Sequence, residues 1–352
     1  MDKPVPQPDA EGARERDVRA DGSGLPHRGP AVPAEDPVTP PFSDDFESGV
    51  HELDQELGTL LVEVNMRPPA ESSEIARAIE SRAAALRAGR NPSRTQAMVF
   101  DGLAARIAIT RSDLAAMAGD LHTAQRIADS AYRMAVASRD RVMIGSARRK
   151  QAAIAMEAGR PAEALQLLAD GLRRCPEGPV AAALLARQVQ AHALAGAHPD
   201  VIEQQTDRAL AAASALPVAE QGMPGLFFTS YHPADAKERA LTANALVGRV
   251  RRAENLYRWC VPVFDAIDMP GWSSGARFTL ATALVLGGGR LDLERSAELV
   301  EDAVTISLHR RTGALSVKAD RWIGAVRPHA AGTRTIETIS RVRAWQRGEL
   351  SA

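Results

Sequence analysis

The sequence predicts an all-α protein, a right-handed superhelix of short helical hairpins, and three observations carry that prediction. Aromatic residues make up only 4% of the 352 while Ala fills many windows. That composition suits helices packed through small side chains better than strands of alternating Val, Thr and Tyr. Apolar residues recur three, four and seven apart from residue 42 onward, the spacing of one helix face. Finally, a Gly-led pattern returns at steps of 40, 37, 52 and 41 residues, as stacked supersecondary units do.

Residues 1–41 carry nine prolines and no long apolar run, which predicts a disordered arm without a signal peptide. Residues 42–92 read as an N-terminal helical segment. In it Phe46, Val50, Leu53, Leu57, Leu60, Leu61 and Val64 share one face ahead of Pro68-Pro69. A second helix over 72–88 has Ser72 or Ser73 as its cap, and Gly89 with Asn91-Pro92 ends it. Residues 93–330 are helix and short turns throughout, and 331–352 are a C-terminal helix or tail.

The repeat is clearest in residues 156–176, MEAGRPAEALQLLADGLRRCP. Gly159 is the turn, Pro161 starts the second helix, Ala164 and Leu168 lie on its inner face, Gly171 lets the next unit approach and Pro176 ends it. The same frame places Ala124, Ala128 and Ala131 after Gly119, and Ile202, Thr206 and Ala209 after Gly196. Ala253, Tyr257 and Cys260 follow Gly248, and Ala297, Glu301 and Val304 follow Gly289. Two helices joined by a tight turn bury one face each, so each hairpin must stack on its neighbours. The expectation is about five such hairpins.

GRPAEALQLLADGLRRCP resembles the second helix of a tetratricopeptide repeat. From about 100 to 330, including AKERALTANALVGRVRRAENLY and SLHRRTGALSVKADRWIGAVRPH, the chain also resembles the C-terminal repeat domain of actinobacterial helix-turn-helix regulators of the Cro/repressor type. That resemblance implies a sensor coupled to a DNA-binding head, and the Pro-rich arm supplies no such head. The one imitation of a helix-turn-helix is GLAARIAITRSDLAAMAGD at 102–120, with its turn at Thr110-Arg111-Ser112.

A net charge of −1, from 43 basic and 44 acidic residues, provides no global field for nucleic acid or an anionic membrane. HExxH, GxSxG and P-loop patterns are absent, and GGGR at 287–290 reads as a helix-ending turn. Cys175 and Cys260 form no CxxC pair, and no two of the eight histidines have ligand spacing on one helix face. The reading is therefore non-enzymatic, with no cofactor and no metal. Basic clusters at 148–150, 173–174, 249–252 and 309–311 read mostly as helix-end charges.

One region is uneven. Eight of fourteen aromatic residues fall between 227 and 278, around the longest inter-repeat step and its inserted GMPGLFFTSYHPAD. Such side chains must be buried somewhere, each gaining roughly 1.5–3 kcal/mol by it. They either plug the gap between units or line a recognition groove. The candidate ligand- or partner-binding set is Phe227, Phe228, Tyr231, Arg249, Arg251, Arg252, Tyr257, Trp259 and Trp272. The expected function is a cytoplasmic regulatory or adaptor module that takes a protein segment, peptide or small-molecule effector on its concave face. It uses no membrane and no direct nucleic-acid contact, and leaves room for a homodimer through a terminal helix. The alternative is a transcriptional regulator touching DNA through 102–120 or through a partner.

Overall fold

The computed structural model describes residues 46–88, 90–225, 228–287, 292–329 and 332–350; the Pro-rich arm at 1–41 and the turn residue Gly289 lie outside them. The described residues form α-helices, one short 3₁₀ turn and no strand. α1 (Phe46–Glu63) and α2 (Pro69–Arg87) make the first hairpin. Then come α3 (Arg94–Met117) with α4 (Leu121–Ser138), α5 (Arg141–Glu157) with α6 (Pro161–Arg174), and α7 (Gly178–Leu194) with α8 (Pro199–Ser214). A short α9 (Val218–Gln221) interrupts the series before α10 (Pro233–Leu246) with α11 (Val250–Ala266) and α12 (Pro270–Leu286) with α13 (Leu293–Ile306). α14 (Gly313–Val326) and α15 (Thr333–Arg347) follow as a further pair. This is an all-α solenoid of helical hairpins.

The turns follow from local chemistry. Gly119, Gly159, Gly196 and Gly248 all hold φ between 73° and 87°, a left-handed conformation that side chains resist. Beyond the turn, Asp120, Asp140 and Asp292 accept backbone N–H bonds as N-caps, and Pro161 and Pro199 sit at the first helical turn where a missing N–H costs nothing. α2 departs from expectation. It begins at Pro69, because proline starts the helix without a side-chain cap, and Ser72 is buried inside it.

The two helices of a hairpin have different surroundings. α5 buries twelve of its positions, including the run 150–156, whereas α6 buries only Ala164, Leu168 and Gly171. The first helix of each pair is thus wrapped by neighbours, and the second turns one face outward. The inner layer is α3, α5, α7, α10, α12 and α14, each packed on the next. At Gly171 an added Cβ would lie 3.0 Å from Leu184 Cδ2 and 3.2 Å from Arg148 Cβ, so the missing side chain is what admits the neighbouring helices.

The two ends of the repeat series meet. Arg310, in the α13–α14 loop, donates to the carbonyl oxygens of Val64 (2.7 Å) and Arg67 (2.6 Å) at the end of α1. Beside it, Gly313 lies so near the α3–α4 turn that a Cβ there would be 3.1 Å from Gly119 Cα.

The helix-turn-helix imitation does not form. α3 runs unbroken from Arg94 to Met117 and buries Ile107, Ile109 and Leu114, while Arg111 pairs with Glu80 of α2. With no turn, the segment has no second helix to present to a groove. No helix among the described residues is long and apolar enough to cross a membrane.

Candidate ligand-binding cavity

The inner helices line a half-open cavity of about 90 Å³. Since a single water needs about 10–15 Å³, it has room for several waters or for one small polar group. Its wall takes Ile109 and Asp113 from α3, Ser146, Arg149 and Lys150 from α5, Arg187 from α7, Asp235 and Arg239 from α10 and Trp272 from α12, with Gly225 and Tyr231 from the segment before α10. Every helix on that wall belongs to the inner layer.

Arg149, Lys150 and Arg187 lie in mid-helix among small buried residues. Arg149 and Lys150 are at the centre of α5, between Ala147 and Ala152, so the cluster at 148–150 is not the helix-end feature its sequence suggested. Asp235 sits in the first turn of α10, where Pro233 starts the helix and His232 caps it by accepting the Ala234 N–H at 3.0 Å. Burial there is almost complete, with Asp235 only 1% exposed.

Pairing is uneven. Lys150 bonds Asp113, and Lys318 of α14 donates to Glu238 Oε1 at 3.1 Å while Arg239 lies 2.9 Å from Oε2. Glu238 stays ionised: burial opposes its charge, and Arg239 and Lys318 together overcome that opposition and hold its pKa well below the usual value. Asp113 is likewise kept low, with Lys150 outweighing burial.

Other groups are left without a full set. Among the described residues the Arg187 guanidinium donates only to Gln190 Oε1, at 3.1 Å. Burial first, then the neighbouring Arg239 and Arg149, lower its pKa to about 10, still far enough above neutrality to keep the charge. Burial also lowers Arg149. Asp235 accepts the Gly225 N–H on Oδ2 at 3.1 Å, and its Oδ1 is buried without a partner among the described residues, as is the Ser146 hydroxyl. Burial pushes Asp235 up to about 7, against the Gly225 bond and the Arg239 charge. Tyr231 is pushed above its ordinary value, chiefly by burial. Trp272 closes one side, its ring 5.5 Å from that of Phe264, with the Arg239 guanidinium 4.6 Å from the ring centre.

The aromatic candidates are divided by this geometry. Tyr231 and Trp272 reach the cavity. Phe228 is buried in the apolar cluster of α1 to α5, and Phe227 lies outside the described residues. Tyr257 is half-buried against the α10–α15 core. Arg251, Arg252 and Trp259 are on the outer helix α11, and Arg249 is the N-cap residue just before it. Arg249 pairs with Asp200 (2.7 Å) and Glu203, and Arg252 pairs with Asp207 (2.6 Å), all three acids from α8. Trp259 is 65% exposed, with Lys237 Nζ 3.3 Å from its ring centre.

Asp113, Arg149, Lys150, Arg187, Asp235 and Arg239 were missed in the sequence. A signal existed: charged residues set inside Ala-rich helices, as in ARRKQAAIA and PADAKERALTA, where a solvated face would have brought more polar neighbours.

No protein-family model and no curated protein matches this chain. Among solved structures it is similar to Rap protein complexed with competence and sporulation factor, at 11% identity and a TM-score of 0.50, over 84% of this chain and 88% of that one. It is also similar, at 9% identity and a TM-score of 0.47, to a signal-transduction ATPase with numerous domains and a tetratricopeptide-repeat sensor from Pyrococcus horikoshii. That match covers 86% of this chain and 44% of the other, so the chain spans less than half the length of that protein. At such identities the likeness to Rap protein establishes a shared fold.

Proposed function

We propose that the chain is a non-enzymatic regulatory or adaptor module whose inner-helix face recognises a protein segment, a peptide or a small effector. The observation that carries the reading is the cavity wall: two buried polar atoms without partners and two guanidinium groups without carboxylates, among the described residues, facing a half-open space lined by five inner helices. Buried polar groups are ordinarily satisfied, and an unmet set facing a cavity is how a recognition site stands before its ligand arrives. That the similarly folded Rap protein was solved in complex with competence and sporulation factor supports the reading. Tyr231 and Trp272 supply the apolar side of the site, and Phe228, Tyr257, Trp259, Arg249, Arg251 and Arg252 serve packing and the outer surface.

Capture of partners from native lysate by the full chain, compared with Trp272→Ala and Trp259→Ala variants of unchanged helicity, tests the face used. Trp272→Ala is expected to lose the partner and Trp259→Ala to keep it. The reverse pattern would move recognition to the outer helices and sink the proposal.

A further inference from the structure

The surplus charge on the cavity wall says what the site takes. Of the charged groups there, Lys150 is satisfied by Asp113 and Arg239 by Glu238, itself shared with Lys318. What remains is Arg149, which makes no hydrogen bond or ion pair with a described residue, Arg187, which bonds only a neutral amide, and Asp235. With Asp235 ionised this remainder carries one positive charge, and Arg239 and Lys318, sharing the single charge of Glu238, leave a second, so the surplus is positive. Arg149 and Arg187 are half-buried, and a partly desolvated cation without a counter-charge is costly, a cost that an anionic ligand offsets.

The unmet hydrogen bonds add a second constraint. Guanidinium groups present planar forks that match the two oxygens of a carboxylate, and the Ser146 hydroxyl, 0% exposed and without a partner, can donate to the same oxygens. Asp235 Oδ1 requires the opposite, an N–H brought by the ligand. A carboxylate with an amide N–H beside it supplies both, and such a group is the right order of size for about 90 Å³.

We infer that this cavity is the anchor for a carboxylate carried by the bound segment, its oxygens held by Arg149, Arg187 and Ser146 and its neighbouring N–H accepted by Asp235. The inference rests on the reading that the inner-helix face is the recognition face. It names the chemical feature that selects the ligand there: an acidic side chain or a free C-terminal end.

The test is calorimetric titration of the full chain at pH 8 and constant ionic strength with four small probes. N-acetylglycine carries a terminal carboxylate beside an amide, N-acetylaspartic acid α-amide carries only a side-chain carboxylate, N-acetylglycinamide is neutral, and inorganic phosphate is a dianion. One or both carboxylates are expected to bind saturably, the tighter of the two showing whether a chain end or a side chain is the source. The neutral amide is expected to give no response. Arg149→Gln is expected to weaken binding about tenfold or more, and Arg149→Lys, which keeps the charge without the fork, to weaken it less. Should Arg149→Gln fail to fold, Arg149→Lys and Ser146→Ala give the same reading. Equal binding of the neutral amide, phosphate binding tighter than both carboxylates, no binding by any probe, or affinity indifferent to position 149 would each overturn the inference. If carboxylates fail while Trp272→Ala still releases a captured partner, the recognition face stands and the carboxylate anchor alone falls.

Discussion

Asp235 is the residue whose environment and chemistry conflict most. The charged groups around it are Arg149 from α5, Arg187 from α7, and Glu238 and Arg239 on its own helix, with Lys150 and Asp113 paired on the same cavity wall. Burial dominates, so the folded-state pKa of about 7 stands above the ordinary 3.8. A raised carboxyl pKa means that the folded chain holds the proton more tightly than the unfolded one. Stability from this group is therefore complete below about pH 4 and is lost as pH rises through 7. A gap of about three units corresponds to on the order of 4 kcal/mol of penalty once Asp235 is ionised. Asp235→Asn keeps an oxygen for the Gly225 N–H and removes the charge. Its thermal midpoint is expected to exceed that of the unaltered chain at pH 8, with the difference shrinking toward pH 5. A difference independent of pH would show that the carboxyl titrates normally. Charges set among alanines in PADAKERALTA were the one mark of this residue, and its pKa could not be read there, because it depends on a cavity assembled from five helices.

Among the elements, α6 was the most legible. Its turn glycine, first-turn proline, buried Ala164 and Leu168 and close-packed Gly171 all stand where the spacing put them, because each serves a contact inside its own hairpin or with the adjacent one. Local rules of that kind can be read from a short window. The positions of Arg249 and Arg252 could not be, since their carboxylate partners lie more than forty residues away on α8. Gly171 offers a test of which local effect prevails. Glycine inside a helix costs roughly 0.5–1 kcal/mol relative to alanine, whereas overpacking a filled interface costs about 1–3 kcal/mol. Gly171→Leu, pressed against Leu184 and the Cβ of Arg148, is expected to destabilise by about 1–3 kcal/mol in thermal unfolding. Gly171→Ala, whose methyl meets a movable leucine tip on one side, is expected to stay within about 1 kcal/mol of the unaltered chain. A stabilised Gly171→Leu would mean that the α5–α6–α7 contact is looser than its distances imply.

Across residues 46–350, the feature no window of sequence could show is the meeting of the first hairpin with the last repeats. Arg310, 5% exposed, bonds through its side chain, among the described residues, only to the carbonyls of Val64 and Arg67 in the turn that follows α1. Burial lowers its pKa to about 10, so it remains a cation at neutral pH, and carbonyl oxygens take the place of a counter-ion. A hydrogen bond to a charged group is worth about 1.5–3 kcal/mol, and its loss here would also strand two backbone acceptors. Arg310→Met keeps the volume of the stem and deletes the bonds. Its expected effect is local: amide exchange in 46–87 should accelerate about tenfold or more, while α5 to α8, whose partners are all adjacent hairpins, keep their rates. The pattern separates two accounts of how the array holds together. If the first hairpin is retained by stacking on α3 alone, exchange there will be unchanged by the substitution. If Arg310 secures it, the first hairpin will open before any internal repeat, and the ends of the series will be its least independent parts.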